Sequence, residues 1–292
     1  SPVVSVTALS DCTESVVLLA FILSLAVPYG CTNKKPEQTD SVQSDSAVTD
    51  TTGEDSTENL ISQTPMPKTA DELFDDFVFN FAANRKLQLK RIVFPLPVYR
   101  NGKLEKKIEK GHWRMEHFFM HQDYYTLILD NEKQVRLAKD TTVDHVVVEK
   151  IFFHLKTVQQ FLFNRIQGKW MLTSVNYKPM YQNDNASFLK FYQHFAVDSA
   201  FQMRSMADEV KFFGPDPTND QATMTGIIMP QQWPDFKPGI LPSGTIYNII
   251  YGQTYKETNY KVFMIRGIAN SNEVVYVFRR FGKRWKLVKF SC

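Results

Sequence analysis

The side chains best placed to do chemistry lie between residues 112 and 145. His117 and His121 stand four apart, which puts two imidazoles on one helix face where they can chelate a metal, and His112 is close by. A metalloprotease helix needs Glu directly after its first His, but Phe118 holds that place and Glu116 precedes the His instead. Residues 118–125 read as readily as a strand, so no metal and no other cofactor is expected. Asp123 beside Tyr124 and Tyr125, or Asp144 beside His145, can supply an acid/base group if apolar walls tune it. No phosphate loop, nucleophile elbow or Cys/His pair accompanies them.

The aromatic residues offer a second kind of site. Trp113 and Trp233 each follow the middle of their half of the chain and precede a polar-aromatic stretch. Set at a cavity mouth with Tyr124, Tyr125, Tyr247 and Tyr251, such rings can stack on a sugar or another flat ligand; plain packing is the alternative.

The elements that must position these groups occur twice. With Phe74 placed over Phe188, Phe77 meets Phe191, Phe81 meets Phe195 and Gln88 meets Gln202 without a gap. Further on, Phe163, Arg165, Trp170 and Leu172 fall on Phe278, Arg280, Trp285 and Leu287. The offset is 114 at the first block and 115 at the second, a repeat too consistent for chance.

Phe74, Phe77 and Phe81 make one apolar stripe of a helix. Thr69 with Glu72 reads as its capping box, and Asn185 or Ser187 as the cap of the second copy. The later blocks, 146–148, 151–153, 158–166 and 170–175, are β-branched and aromatic, with a turn at Gly168; their counterparts are 260–268, 273–281 and 285–290 with a turn at Gly282. Asn101-Gly102 marks another hairpin. The middle of the second copy differs, because six prolines between Phe212 and Gly244 exclude a regular helix and suggest an irregular binding insertion.

Ahead of the repeat, Val16–Val27 is an apolar run of 12 residues, too short to span a bilayer core of about 30 Å but suited to a secretion signal. It ends at Gly30-Cys31, and the chain then turns polar. Between Pro36 and Pro67 there are seven acids and no Lys or Arg, a composition expected to stay disordered as a tether. From Lys68 onward 32 Lys and Arg stand against 22 Asp and Glu. Arg279, Arg280, Lys283, Arg284, Lys286 and Lys289 concentrate that charge on the last hairpin, where anionic headgroups or acidic glycans can dock.

An apolar run closing on Gly-Cys before a polar tether resembles a bacterial lipoprotein signal, which implies lipidation of Cys31. Pro28 and the lack of a cation before the run depart from that pattern, and a plain cleaved signal is the alternative. A helix-led unit of about 110 residues ending in F-x-R-x-x-x-x-W-x-L strands resembles the NTF2-like (cystatin-like) fold. The whole chain, including Arg91-Ile-Val-Phe-Pro-Leu and Gln122-Asp-Tyr-Tyr-Thr-Leu, resembles Bacteroides-type envelope lipoproteins of the DUF4348 kind, a family that implies no activity.

The expected architecture is α+β: signal 1–31, acidic tether 32–67, and two tandem NTF2-like domains, 68–180 and 181–292, each packing N-terminal helices on a curved antiparallel sheet. The expected address is the cell envelope, attached to the outer membrane through Cys31 and facing the periplasm. The expected role is non-enzymatic binding of a small ligand, a glycan or an envelope protein, with no nucleic-acid partner. The alternative is a cavity hydrolase or isomerase using Asp123 or Asp144.

Overall fold

The computed structural model describes residues 71–216, 219–238, 241–252, 257–268 and 272–292. The segments expected to be signal and tether, including Cys31, lie outside them. Two helices open the described chain, α1 (Phe74–Ala83) and α2 (Arg85–Arg91). Six strands follow: β1 (Leu96–Arg100), β2 (Lys103–Ile108), β3 (Tyr124–Leu129), β4 (His145–Phe152), β5 (Thr157–Ile166) and β6 (Lys169–Pro179). The second half repeats this with α3 (Ala186–Phe195), α4 (Ser199–Arg204), β7 (Met206–Asp216) and β8 (Asn219–Ile228), then the single turn α5 (Trp233–Phe236). It closes with β9 (Thr245–Tyr251), β10 (Tyr260–Gly267), β11 (Glu273–Phe281) and β12 (Arg284–Ser291).

All twelve strands join one sheet in the order β2-β1-β6-β5-β4-β9-β3-β10-β11-β12-β7-β8. Read inward from either edge, the two halves follow the same order until the centre, where their third strands change places. β3 of the first half pairs antiparallel with β10 of the second, and β9 of the second pairs antiparallel with β4 of the first. β3 and β9 then meet in parallel at a single ladder position, Thr126 opposite Asn248.

Alternation along these strands sends successive side chains to opposite faces. Tyr125, Leu127, Val146, Val148 and Tyr251 join the core beneath α1 and α2. Ile128, Ile151, Ile246 and Phe263 join the core beneath α3 and α4. The two helical layers therefore cover opposite faces of a shared sheet.

The expected Phe stripe is the centre of each core. Phe74, Phe77 and Phe81 close around Phe163 with ring centroids at 5.2, 6.0 and 5.3 Å. Phe188, Phe191 and Phe195 close around Phe278 at 5.4, 5.4 and 5.1 Å. Each fully buried Phe contributes roughly 1.5–3 kcal/mol over its exposed state. The Arg and Trp of the terminal motif stack across their hairpins, Arg165 over Trp170 at 4.8 Å and Arg280 over Trp285 at 5.5 Å.

Three local expectations are corrected. α1 begins only at Phe74, behind Leu73 with no side-chain cap, and Thr69 of the expected capping box lies outside the described residues. Asn185 does precede α3 but makes no capping bond, because its Oδ1 accepts from the Lys261 ammonium at 2.6 Å. The Pro-rich segment is largely regular: β7 and β8 form a hairpin from Met206 to Ile228, placing Pro215 near the hairpin's end where β8 is the sheet edge.

Candidate functional site: two open grooves and a buried seam

The first groove opens beside β1, β2, β5 and β6 and has a volume of about 580 Å³. Its wall is the segment after β2, which Trp113 anchors. The Trp113 indole donates to Gln88 Oε1 at 2.9 Å, and Gln88 Nε2 donates to the carbonyls of Phe81 at 2.9 Å and Glu116 at 2.7 Å. One buried amide thus ties α1, α2 and the groove wall together. The lining mixes signs, with Lys106, Lys107 and Arg114 beside Glu109 and Glu116, over an aromatic floor of Phe161 and Tyr177. Glu116 Oε1 takes the Lys150 ammonium at 3.1 Å and the Tyr247 hydroxyl at 3.4 Å.

The second groove, about 620 Å³, lies between α3, α4 and the turn joining β11 to β12. Lys190, Arg204, Lys283, Arg284 and Lys286 line it, with His194 and no acid. Phe191, Phe201 and Trp285 supply its apolar surface. Trp285 Nε1 donates to Ser187 Oγ at 3.2 Å, which fixes the indole at one end of the groove.

Between the two halves runs a buried polar seam. Asn248 Oδ1 accepts the Ile128 N–H at 2.8 Å, and Thr126 Oγ1 donates to the Tyr247 carbonyl at 2.9 Å. Side chains thereby close the β3–β9 junction that the backbone joins at one position. The buried Glu149 carboxylate accepts from Gln160 at 2.8 Å, Asn183 at 2.7 Å and Asn248 at 3.1 Å. Burial pushes its pKa up, against the lowering pull of those bonds. Lys261, also buried, pairs with Asp130 across β10 and β3.

A third cluster gathers sequence-predicted residues from both halves. The Tyr251 hydroxyl donates to Asp75 Oδ1 at 2.5 Å and the Tyr125 hydroxyl to Oδ2 at 3.4 Å, while Arg266 reaches Tyr125 at 3.4 Å. Burial raises the Asp75 pKa despite those donors, and burial together with the Asp75 charge holds the Tyr251 hydroxyl well above its usual value.

The remaining candidates scatter. Trp233 is fully buried, its indole donating to Gln202 Oε1 at 2.9 Å just as Trp113 does to Gln88. Burial of Trp233, Tyr125 and Tyr251 leaves those rings no open face for a ligand to stack on. Trp113 contributes an edge to the first groove, Tyr247 touches that groove's Glu116, and half-buried Tyr124 starts β3. Asp123 and Asp144 are both exposed, Asp123 at a left-handed turn after a 3-10 segment. His117 and His121 do share one side of that segment, with ring centroids 5.0 Å apart, but no group of three or more metal-ligating side chains forms among the described residues. The second groove's helical wall, Lys190, Phe191, Phe201 and Arg204, was not among the site residues expected from the sequence, where Phe191 was read only as part of the core stripe.

Comparison with known proteins agrees with this architecture. A solved NTF2-like protein from Bacteroides fragilis is 38% identical, superposes with a TM-score of 0.70, and the match covers 78% of this chain and 98% of that one. No curated protein matches the chain. The family model for a domain of unknown function, DUF4348, matches residues 53–292, and the chain belongs to that family.

Proposed function

We propose that the protein is an exported, lipid-anchored component of the cell envelope that binds a ligand or partner without transforming it. The observation that carries the non-enzymatic reading is the filling of both cores. Phe77, Phe81, Phe163, Phe188, Phe195 and Phe278 are fully buried against their helices. The carboxylates expected to act as bases, Asp123 and Asp144, stand at the surface rather than against apolar walls. Binding then falls to the open grooves. On this reading the two halves are copies of one NTF2-like unit that exchanged their third strands, and the exchange fixes both grooves on one rigid sheet.

The address rests on the run Val16–Val27, Cys31 and the acidic stretch after it. With a lipid on Cys31, the acidic stretch 32–67 would separate the grooves from the membrane. Fractionation of cells expressing wild type and Cys31→Ser tests this; the variant is expected to leave the membrane fraction, and equal fractionation rules the anchor out. The binding role is tested by thermal shift against a panel of envelope saccharides and lipids. A saturable rise in Tm with the compound recovered unchanged is expected; recovery of a converted product restores the enzyme reading.

A further inference from the structure

The repeat supplies an internal control for the second groove. At the corresponding place in the first half the space is filled by the protein itself. Arg91 lies 5.5 Å over the Phe77 ring and grips Asp71 through both guanidinium nitrogens at 2.6 and 2.8 Å. The same carboxylate accepts the Trp170 backbone N–H at 3.1 Å. Burial alone would raise the Asp71 pKa, but Arg91 and that N–H hold it below the usual carboxylate range. A carboxylate is therefore at home beside the terminal-strand Trp.

In the second half both members of that plug are gone. Ser205 stands where the repeat places Arg91, which leaves Phe191 without the guanidinium that covers Phe77. Asn185 stands where the repeat places Asp71, and its Oδ1 accepts from Lys261 instead. Around the vacated space the charge has moved one way. Lys190 replaces Asp76, Lys283 replaces Gly168 and Lys286 replaces Met171, while Arg204 and Arg284 keep the cations of Lys90 and Lys169. No ion pair engages these five cations among the described residues, although ion pairs form readily elsewhere on the surface. Loss of a space-filling pair together with uniform gain of cations points to an outside anion.

We propose that this groove is an anion-binding site for an acidic saccharide, whose carboxylates meet Lys190, Arg204 and the Lys283–Lys286 turn while a sugar face lies on Phe191 and Phe201. The aromatic surface distinguishes this from a bare cationic patch, since CH faces of sugars pack on Phe and Trp rings and mobile counter-ions do not. The assignment rests on the binding role proposed above and names the ligand class for it.

The test is calorimetric titration of the full chain with an oligogalacturonate, a neutral oligosaccharide of the same length, a sugar phosphate, and vesicles of anionic or zwitterionic lipid. Saturable binding of the oligogalacturonate, at least tenfold tighter than the neutral oligosaccharide and weakened by salt, is expected. Arg204→Glu and Lys190→Glu, at exposed positions outside the buried cores, are each expected to weaken it at least tenfold. Ser205→Arg combined with Asn185→Asp, which together restore the first-half pair, is expected to do the same, with unchanged circular dichroism. Lys86→Glu, at an exposed position of α2 that lines neither groove, is the control and is expected to leave affinity unchanged. Equal binding of the neutral saccharide, binding confined to the sugar phosphate or to anionic vesicles, or full affinity in Arg204→Glu and Lys190→Glu overturns the assignment. In that last case saccharide binding persists elsewhere on the protein, so the broader binding role stands while this site falls.

Discussion

Asn248 joins the two halves of the sheet by accepting the backbone N–H of Ile128 at 2.8 Å and donating to Glu149 at 3.1 Å. It does so at the one junction where the backbone ladder is reduced to a single position. Asn248→Ala removes an acceptor and a donor from a fully buried place, at a cost of about 1–3 kcal/mol for each group left short. Urea unfolding is therefore expected to show a loss of about 2–4 kcal/mol. Asn248→Asp sets a second carboxylate against Glu149, and its loss at pH 7 is expected to exceed that of Ala and to shrink near pH 4.

Glu149 gives the seam a pH dependence of definite sign. Burial raises its pKa, so the folded protein holds this proton more tightly than the unfolded chain, whose Glu titrates near about 4.3. Its contribution is fully present below that value and is lost as pH rises through the folded pKa. Asp75 is shifted the same way, whereas Asp71 is lowered and acts in the opposite direction at acid pH. The difference in unfolding free energy between wild type and Glu149→Gln, measured from pH 4 to 8, isolates the Glu149 share. Wild type is expected to lose ground to the variant as pH rises, and a pH-independent difference would show that Glu149 titrates normally.

The paired relays of Trp113 with Gln88 and Trp233 with Gln202 make matched substitutions informative. Gln202→Leu strands the buried Trp233 indole and the Phe195 carbonyl, to which Gln202 Nε2 donates at 2.7 Å. Thermal and urea unfolding are expected to show a loss of about 2–4 kcal/mol. Gln88→Leu is expected to cost at least as much, because Gln88 also holds Glu116 and with it the wall of the first groove.

Tyr251→Phe tests the cluster around Asp75. It deletes the 2.5 Å bond to a carboxylate that burial already disfavours and leaves the longer Tyr125 contact. A hydrogen bond to a charged group is worth about 1.5–3 kcal/mol, and a stability loss of that size is expected in urea unfolding at pH 7. The loss is expected to fall at pH below the raised Asp75 pKa, where the carboxyl is neutral.

The sequence by itself determined the parts that depend on local pattern. The Phe stripes at 74, 77, 81 and 188, 191, 195 follow helical spacing, and the strands from 145 to 179 and from 260 to 291 follow β-branched and aromatic runs broken at Gly168 and Gly282. The Asn101-Gly102 turn has the positive φ values, 50° and 76°, that its residue types favour. The places of Trp113 and Trp233 in their copies suggested that they correspond, and the structure supplies the reason in their matched bonds to Gln88 and Gln202, which align in the repeat.

Only the tertiary structure decided which strand lies beside which. Tyr124–Leu129 is apolar on both faces, as any central strand would be, and nothing in its pattern tells β4 from β10 as its neighbour. In the folded chain Asn248, Glu149 and the Asp130–Lys261 pair bond across the junctions that set β3 beside β10 and β9 beside β4, contacts between residues distant in sequence. The second groove was hidden for a related reason. A site made by deletion, Ser205 where the first half has Arg91, leaves no motif behind, and its cations come from two helices and a hairpin that meet only in the folded chain.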